Sequence, residues 1–348
     1  MTLFVSPDSA WVEPEDPAYA AALAAHPGAD IYHDPHYLRS VAMDGAVRVL
    51  LLPNLILPLV VRPLPDWLAA PQFQDAESPY GYAPPLVTGP LAWDAVARQL
   101  AAQGVINVFL RNHPLVDWGN SLGIAEITQA PVAVIPLAEG REQAFSGARC
   151  ATHRSQVKRA KAQGFTVDVH EAPAALADFR RLYEHTMERL QAADFYRFGD
   201  QAWQQLCSLG ARLALITVRD SQGEVHNQAL FMRGQRFAHY HLSARTAHAH
   251  NAASHLLFEA VADWAISHGC SAIHLGGGTS GKEDDGLLAY KRRIGRQDAV
   301  FRTAGLITDP IQHVAMTARW QQRSTVPGRW FQTYRQPLLS LLSLLLLL

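Results

Sequence analysis

The sequence predicts an α/β (α+β) chain of two domains. Three observations carry that expectation. The 348 residues exceed what one core usually needs and suit two domains of ordinary size. Strand-like runs at residues 213–219, 226–233 and 236–244, separated by short polar turns, predict an antiparallel meander. A helix, a glycine and a buried strand follow one another twice, around Leu91, Gly104 and Val105 and around Ser254, Gly269 and Ser271, with no residue-by-residue identity between the copies.

Residues 31–39 (IYHDPHYLR) predict a short helix entered through Asp34-Pro35, with Asp34 capping and Pro35 in the first turn. Residues 46–65 are rich in Val, Leu and Ile around Pro53-Asn54 and predict a strand hairpin. SPYGYAPP (78–85) is loop chemistry. An amphipathic helix over 91–102 stops at Gly104, and a buried strand follows over 105–111. A further strand is expected at 133–137, with the change of domain near 139–142. Residues 146–163 predict a basic helix carrying Arg149, His153, Arg154, Lys158, Arg159 and Lys161. Residues 174–191 place Leu176, Phe179, Leu182, Thr186 and Leu190 on one helical face. After the meander, a helix over 254–268 ends at Gly269 and a strand covers 271–275.

Composition narrows the function. Hydrophobic residues make up 49% and charged residues 18%, which provides for sizeable cores and excludes a disordered acidic or basic tail. With 30 Lys+Arg against 31 Asp+Glu the net charge is −1, so any nucleic-acid contact must come from a local patch. Cys150, Cys207 and Cys270 are odd in number and far apart, which points to a reducing, cytoplasmic setting rather than a disulfide or zinc framework. The opening MTLFVSPDSAWVEPEDP lacks the basic and unbroken apolar stretches of a signal peptide. Leu338 to Leu348 is leucine interrupted only by Ser340 and Ser343, short of the roughly 20 residues that span a bilayer. With Arg329, Trp330, Phe331, Tyr334 and Arg335 just ahead, it reads as an interfacial membrane contact, as a helical end packed on the N-terminal domain, or as a low-complexity tail. The expected location is cytoplasmic, at most peripheral to the inner face of the membrane.

The chemistry-bearing residues gather between Ala229 and Gly295. The strand at 271–275 runs into Gly276-Gly277-Gly278, where missing side chains let backbone N–H groups approach a ligand; a tight turn needs the same residues. Lys291 follows a short apolar helix and stands beside Arg292 and Arg293, so it reads either as a site residue or as part of a solvated basic face. Tyr240 and His241 are neighbours on a strand and point to opposite faces, one into the sheet and one toward a cleft. Histidine is the usual general base near neutral pH. His239, His241, His248, His250 and His255 raise the question of a metal, but no HExxH or Cys/His framework accompanies them and none is expected. The charges of the basic helix suit either a polyanion, such as the acceptor end of a tRNA, or solvent.

Taken in order, RCATHRSQVKRAKAQGFTV, HTMERLQAADFYRF, HYHLSA, the helix led by Asn251, HLGGG and LLAYKRRIG, with IYHDPHYLR and SPYGYAPP upstream, resemble the FemAB/FemX-type transferases. These are related to the general N-acetyltransferase (GNAT) superfamily. Order and spacing carry the likeness, which runs to about Arg302; no single motif is diagnostic. It implies two GNAT-like domains, at 1–140 and 141–305, each a mixed, mostly antiparallel sheet flanked by helices. An extension with the leucine-rich tail follows at 306–348.

The resemblance further implies an amide-forming acyltransferase, with aminoacyl-tRNA as donor and a nucleotide- or lipid-linked cell-wall (peptidoglycan) or envelope precursor as acceptor. One alternative is an acyl-CoA-dependent N-acyltransferase acting on an amino sugar or polysaccharide intermediate. Another is a non-catalytic binding protein of the same fold. No cofactor would stay bound. In these terms Lys291 assists the transferring group, Tyr240 and Arg197 position the acceptor, and Arg39 matches a basic residue in the same role. Gly276, Gly277 and Gly278 shape the floor, His241 is a packed histidine or the general base, and Asn251 with its helix N-terminus caps an anion. Two departures stand out. RTAHAHNAASH replaces the glycine-rich loop that holds the CoA pyrophosphate in typical acetyltransferases, and there is no room between Gln191 and Gln201 for the long helical arm of some members.

Overall fold

The computed structural model describes residues 11–42, 45–116, 124–192, 197–325 and 327–336, so the leucine run from Leu338 to Leu348 lies outside the described residues. The chain folds as two compact units. Of the described residues, the first takes those from Trp11 to Gly28, from Ala42 to Thr128 and from Arg302 to Gln336; the second takes those of Ala29–Val41 and Gln129–Phe301. The described part of the segment expected as a separate extension, up to Gln336, thus groups with the first unit, and the short helix near residue 35 with the second.

In chain order, β1 (Trp11–Val12) and α1 (Pro17–Ala25) open the first unit, and α2 (Pro35–Ser40) belongs to the second. Then β2 (Ala46–Leu52), β3 (Leu55–Pro63), β4 (Gln74–Glu77), β5 (Leu86–Val87), α3 (Trp93–Ala102) and β6 (Val105–Arg111) follow in the first. Strand β7 (Ala125–Pro136) leads into the second unit, with α4 (Arg141–Ala144), α5 (Ala151–Ala162), β8 (Thr166–Glu171), α6 (Ala177–Arg189) and α7 (Asp200–Cys207). The meander β9 (Leu213–Arg219), β10 (Val225–Arg233) and β11 (Phe237–Arg245) comes next, then α8 (Ala253–Ser267), β12 (Ala272–Gly276) and α9 (Gly286–Arg292). Strand β13 (Gln297–Ile307) leads back to the first unit, where α10 (Pro310–Arg323) follows.

Each unit is a mixed, mostly antiparallel sheet. The first has the order β1-β2-β3-β4-β6-β13 with β5 beside β3, and the β2–β3 hairpin turns at Pro53-Asn54, pairing Leu52 with Leu55. The second has the order β7-β12-β11-β10-β9-β8. Each contains a parallel pair bridged by a helix: β4 and β6 around α3, and β11 and β12 around α8. The helices end at Gly104 and Gly269, both at positive φ. The sequence echo is therefore a shared β-α-β element. Helix α3 buries Trp93, Val96 and Leu100, while α8 buries most of its surface because Leu256, Leu257, Phe258, Val261 and Ala262 sit inside the second core. Among the described residues no helix is long and apolar enough to cross a membrane.

The basic helix begins at Ala151 rather than near residue 146, because the chain turns at Gly147 (φ +80°) first. Its inner face is His153, Val157 and Ala160. Arg149 is paired with Asp298, and Arg154 donates to the carbonyls of Phe145 and Gly147, so much of the basic charge is already engaged.

In the first unit the returning chain is tied in by a polar network. Asp75, fully buried, accepts from Arg62 Nε at 3.2 Å and from Arg335 Nε at 2.6 Å. Arg62 also reaches Glu77 and Gln332, and Gln332 donates to the Ala76 carbonyl and to Asn107. Burial pushes the Glu77 carboxyl up, but Arg111 and Arg62 outweigh it and hold the group below its ordinary range.

Candidate active site

The second unit's sheet opens where its parallel pair ends. Strands β11 and β12 are matched only at Phe237/Ala272, Ala238/Ile273 and His239/His274. Beyond that point β11 runs on to Arg245 along β10, and β12 reaches Gly276 along β7. The ladder of β11 with β10 skips His241, and that of β12 with β7 skips Leu275, so an irregularity marks each side of the parting.

On one side of the parting stands Tyr240, half-buried, with its ring 5.1 Å from Phe231 and 5.5 Å from Phe258 of α8. His239 and His241 take the other face, against Tyr32 (4.6 Å) and Tyr37 (5.8 Å). The alternation expected from the strand therefore holds, and it gives Tyr240 and His241 different neighbours. Burial, with His239 nearby, pushes the His241 imidazole down to about 3.

On the other side lies the glycine corner. Gly276 sits at φ +77°, and the Gly277 carbonyl accepts a 2.7 Å hydrogen bond from Lys291 Nζ. Lys291 is only 9% exposed, and its ammonium lies 6.0 Å from the centre of the Tyr240 ring. Burial pulls its pKa down to about 8, partly offset by Asp285. The YKRR motif thus divides: Arg292 is paired with Glu283 and Asp298, whereas Lys291 points inward.

Asp285 holds the corner together. Its Oδ2 accepts from the N–H and hydroxyl of both Thr279 and Ser280, and its Oδ1 caps α9 through the N–H groups of Leu287 and Leu288. Those hydrogen bonds, that of Leu288 first, hold the carboxyl far below its ordinary range. A Cβ on Gly278 would lie 2.2 Å from Asp285 Cγ and Oδ1. Gly278→Ala should therefore displace the carboxylate, speed hydrogen exchange at the Leu287 and Leu288 amides, and lower turnover by about 100-fold through misplacement of Lys291. Wild-type exchange and turnover in the variant would refute this.

Asp285 escaped the sequence reading because it sits in the polar run TSGKEDDG. Its position just before the apolar GLLAYK was the available signal of a helix cap. Tyr290 was missed as well. It adjoins Lys291, hydrogen-bonds Ser254 and lies 5.8 Å from the ring of His255, which in turn meets His153 at 3.0 Å between Nδ1 atoms.

The structure brings together Tyr240, Gly276, Gly277, Gly278 and Lys291. It gives the remaining predicted residues other surroundings. Arg197 is exposed just ahead of α7, and Arg39 is half-buried in the last turn of α2. The Asn251 side chain accepts from Arg245 at 3.1 Å, and the cap position of α8 is Ala252. The loop before α8 is knit by its own histidines. The His250 N–H donates to His226 Nδ1 and the Ala252 N–H to His250 Nδ1, while His226 Nε2 lies 3.1 Å from Asp220. An open groove of about 820 Å³ between α6 and α7, near Trp203 and Cys207, shares no residue with the glycine corner. Its Arg180 is already paired with Glu184 and Asp200.

Residues 148–292 match the family model described as an acetyltransferase (GNAT) domain. No curated protein is similar enough in sequence to count as a match. Among solved structures, FemX superposes with a TM-score of 0.63 at 13% identity, over 90% of this chain and 98% of that one. L-PGS from Bacillus licheniformis gives 0.57 at 15% identity, over 84% and 92% of the two chains. The C-terminal domain (DUF2156) assigned to a lysylphosphatidylglycerol synthetase of Agrobacterium fabrum gives 0.55 at 16%, over 80% and 89%. Residues 148–292 thus match an acetyltransferase (GNAT) domain, within a chain whose fold is like that of FemX.

Proposed function

We propose that this chain forms an amide by moving an aminoacyl group from a tRNA ester onto an amine of a cell-envelope precursor, with Lys291 serving the reacting carbonyl. The observation that carries the reading is the Lys291 ammonium, buried at the parting of the sheet with one N–H on the Gly277 carbonyl. A group with a pKa of about 8 is mostly protonated at pH 7. Its remaining N–H donors are preorganised for a carbonyl oxygen that becomes an oxyanion. The acceptor arrives as a neutral amine, its nitrogen bonds to the carbonyl carbon, and the carbon–oxygen ester bond breaks. The proton lost by nitrogen ends on the departing ribose oxygen.

His241 takes no proton in this reading, since a group near pKa 3 is too weak a base. Tyr240 and the glycine corner shape the floor, and Arg197 and Arg39 remain proposed acceptor contacts.

The loop before α8 favours an ester donor over a CoA thioester. A pyrophosphate at that helix start would draw on the N–H groups of Ala253, Ser254 and His255, and those of Ala253 and His255 already donate to the carbonyls of His250 and Ala252. The acetyltransferase description of residues 148–292 favours the thioester instead. The nearby folds named for FemX and for lysylphosphatidylglycerol synthetase support an envelope acceptor, whether a wall precursor or a lipid. Purified protein offered charged tRNA and acyl-CoA in parallel, with products followed by mass, should consume the ester. Consumption of the thioester alone would overturn the donor assignment.

A further inference from the structure

Strand β8 is the outer strand of the second unit's sheet, and among the described residues it pairs with β9 alone. Edges of this kind are normally blunted by proline, lysine, a bulge or brevity, because their unpaired backbone groups invite another strand. Thr166–Glu171 carries none of these devices: its six residues keep a continuous register with β9, and five of them are exposed. The ladder fixes which backbone groups face outward. The Ala172 N–H donates to the carbonyl of Leu213, the residue opposite it as the register continues. Bonded and non-bonded pairs alternate along an antiparallel ladder, so His170, Asp168 and Thr166 exchange hydrogen bonds with Leu215, Thr217 and Arg219. Val167, Val169 and Glu171 therefore turn their N–H and C=O groups away from β9. Their side chains share the face on which Val167 packs against the second core, where Val169 is still 39% exposed. The opposite face carries His170 and Asp168, both exposed.

This pattern is complementary to itself. Two copies of β8 laid antiparallel can join their outward groups in a register centred on Asp168, Val169 or His170. Centred on Asp168, the two aspartates face each other and repel. Centred on His170, each Asp168 faces Ala172 of the other copy and gains nothing. Centred on Val169, all three outward residues find partners: Val169 meets its own copy, and Val167 meets Glu171. Each Asp168 then stands opposite His170 of the other copy, in the closer, non-bonded type of pair. An imidazole N–H donates to a carboxylate whether or not the ring carries a second proton. The exposed Val169 side chains cover each other on the opposite face.

We infer that β8 is a self-association edge, through which two copies of this chain join the sheets of their second units antiparallel about Val169. The interface is independent of the acyl-transfer chemistry. Charge complementarity between Asp168 and His170 sets its register, and the backbone groups of Val167, Val169 and Glu171 hold it.

The test is light scattering after size exclusion, on the full chain over a range of concentrations, where monomer should give way to dimer. Val169→Pro should abolish the dimer. Its circular dichroism spectrum should match the wild type, because the Val169 N–H points away from β9 and proline there removes no internal hydrogen bond. His170→Asp sets aspartates opposite one another and should raise the dimer Kd by about 10-fold. Asp168→His, which sets histidine opposite histidine, should weaken the dimer as well. An equimolar mixture of these two variants should regain wild-type association, since every aspartate then faces a histidine. Both are exposed, so this arm stands even if the proline variant fails to fold. A dimer untouched by Val169→Pro, or a mixture no tighter than its components, would overturn the inference. A wild type that stays monomeric throughout would overturn it too and leave the edge to a strand from a different protein.

Discussion

Lys291→Ala should cut kcat by about 100- to 1000-fold with little change in KM, the signature of a donor used chiefly in the transition state. The dependence on pH distinguishes this role from a structural one. For the wild type, kcat/KM should fall as pH rises through about 8, where the buried ammonium loses its proton. Lys291→Arg, which stays charged, should keep part of the activity and lose that alkaline limb. Stability should move the other way. The folded-state pKa lies below the ordinary 10.5, so the folded protein bears the cost of the buried charge at all pH below about 8, and the cost disappears as pH rises toward 10.5. Lys291→Met keeps the packing and removes the charge, so its Tm at pH 7 should equal or exceed that of the wild type while activity is lost. Unchanged turnover in Lys291→Ala would remove the lysine from the mechanism. A Tm drop that accounts for the lost activity would make the residue structural.

The second large effect is expected far from the glycine corner in sequence. Asp75→Ala removes the carboxylate that Arg62 and Arg335 share inside the first unit, leaving two largely buried guanidinium groups short of a partner. Removing one member of a buried ion pair costs about 3–5 kcal/mol. For a chain of this size that corresponds to a fall in Tm on the order of 10 °C, read by circular dichroism. The Glu77 carboxylate, held below its usual range in the same network, adds stability that is present above its unfolded pKa near 4.5 and lost as pH falls below it. A melting curve of Asp75→Ala that overlays the wild type would show the network to be dispensable.

How far these features could be read from sequence depended on whether neighbours along the chain or across space decide them. The meander was legible because Gly223 and Gly234-Gln235 punctuate runs rich in Val, Leu, Ile and Phe, and β9 (Leu213–Arg219) matched residue for residue. Strand β8 was not, because Thr166–Glu171 is an edge strand with mostly exposed, polar side chains. Strand β4 was missed for a different reason: QDAE looks like loop, and only the arginines brought from residues 62 and 335 allow Asp75 to lie buried in it. The glycine triplet and Lys291 were visible as types in order. That they meet at the parting of β11 and β12 depends on long-range pairing that local pattern does not encode. The return of the chain after Arg302 was invisible, since nothing in QDAVFRTAGLI says which strand it joins.

That return governs how the protein is made. Strand β13 completes the first sheet beside β6, and Arg335 reaches Asp75, a separation of 260 residues. During translation the early segments must therefore wait, with an unpaired β6 edge, while the intervening polypeptide emerges and collapses on its own. The middle of the chain is the portion able to mature first on the ribosome, and the portion translated earliest is the last to reach its native form.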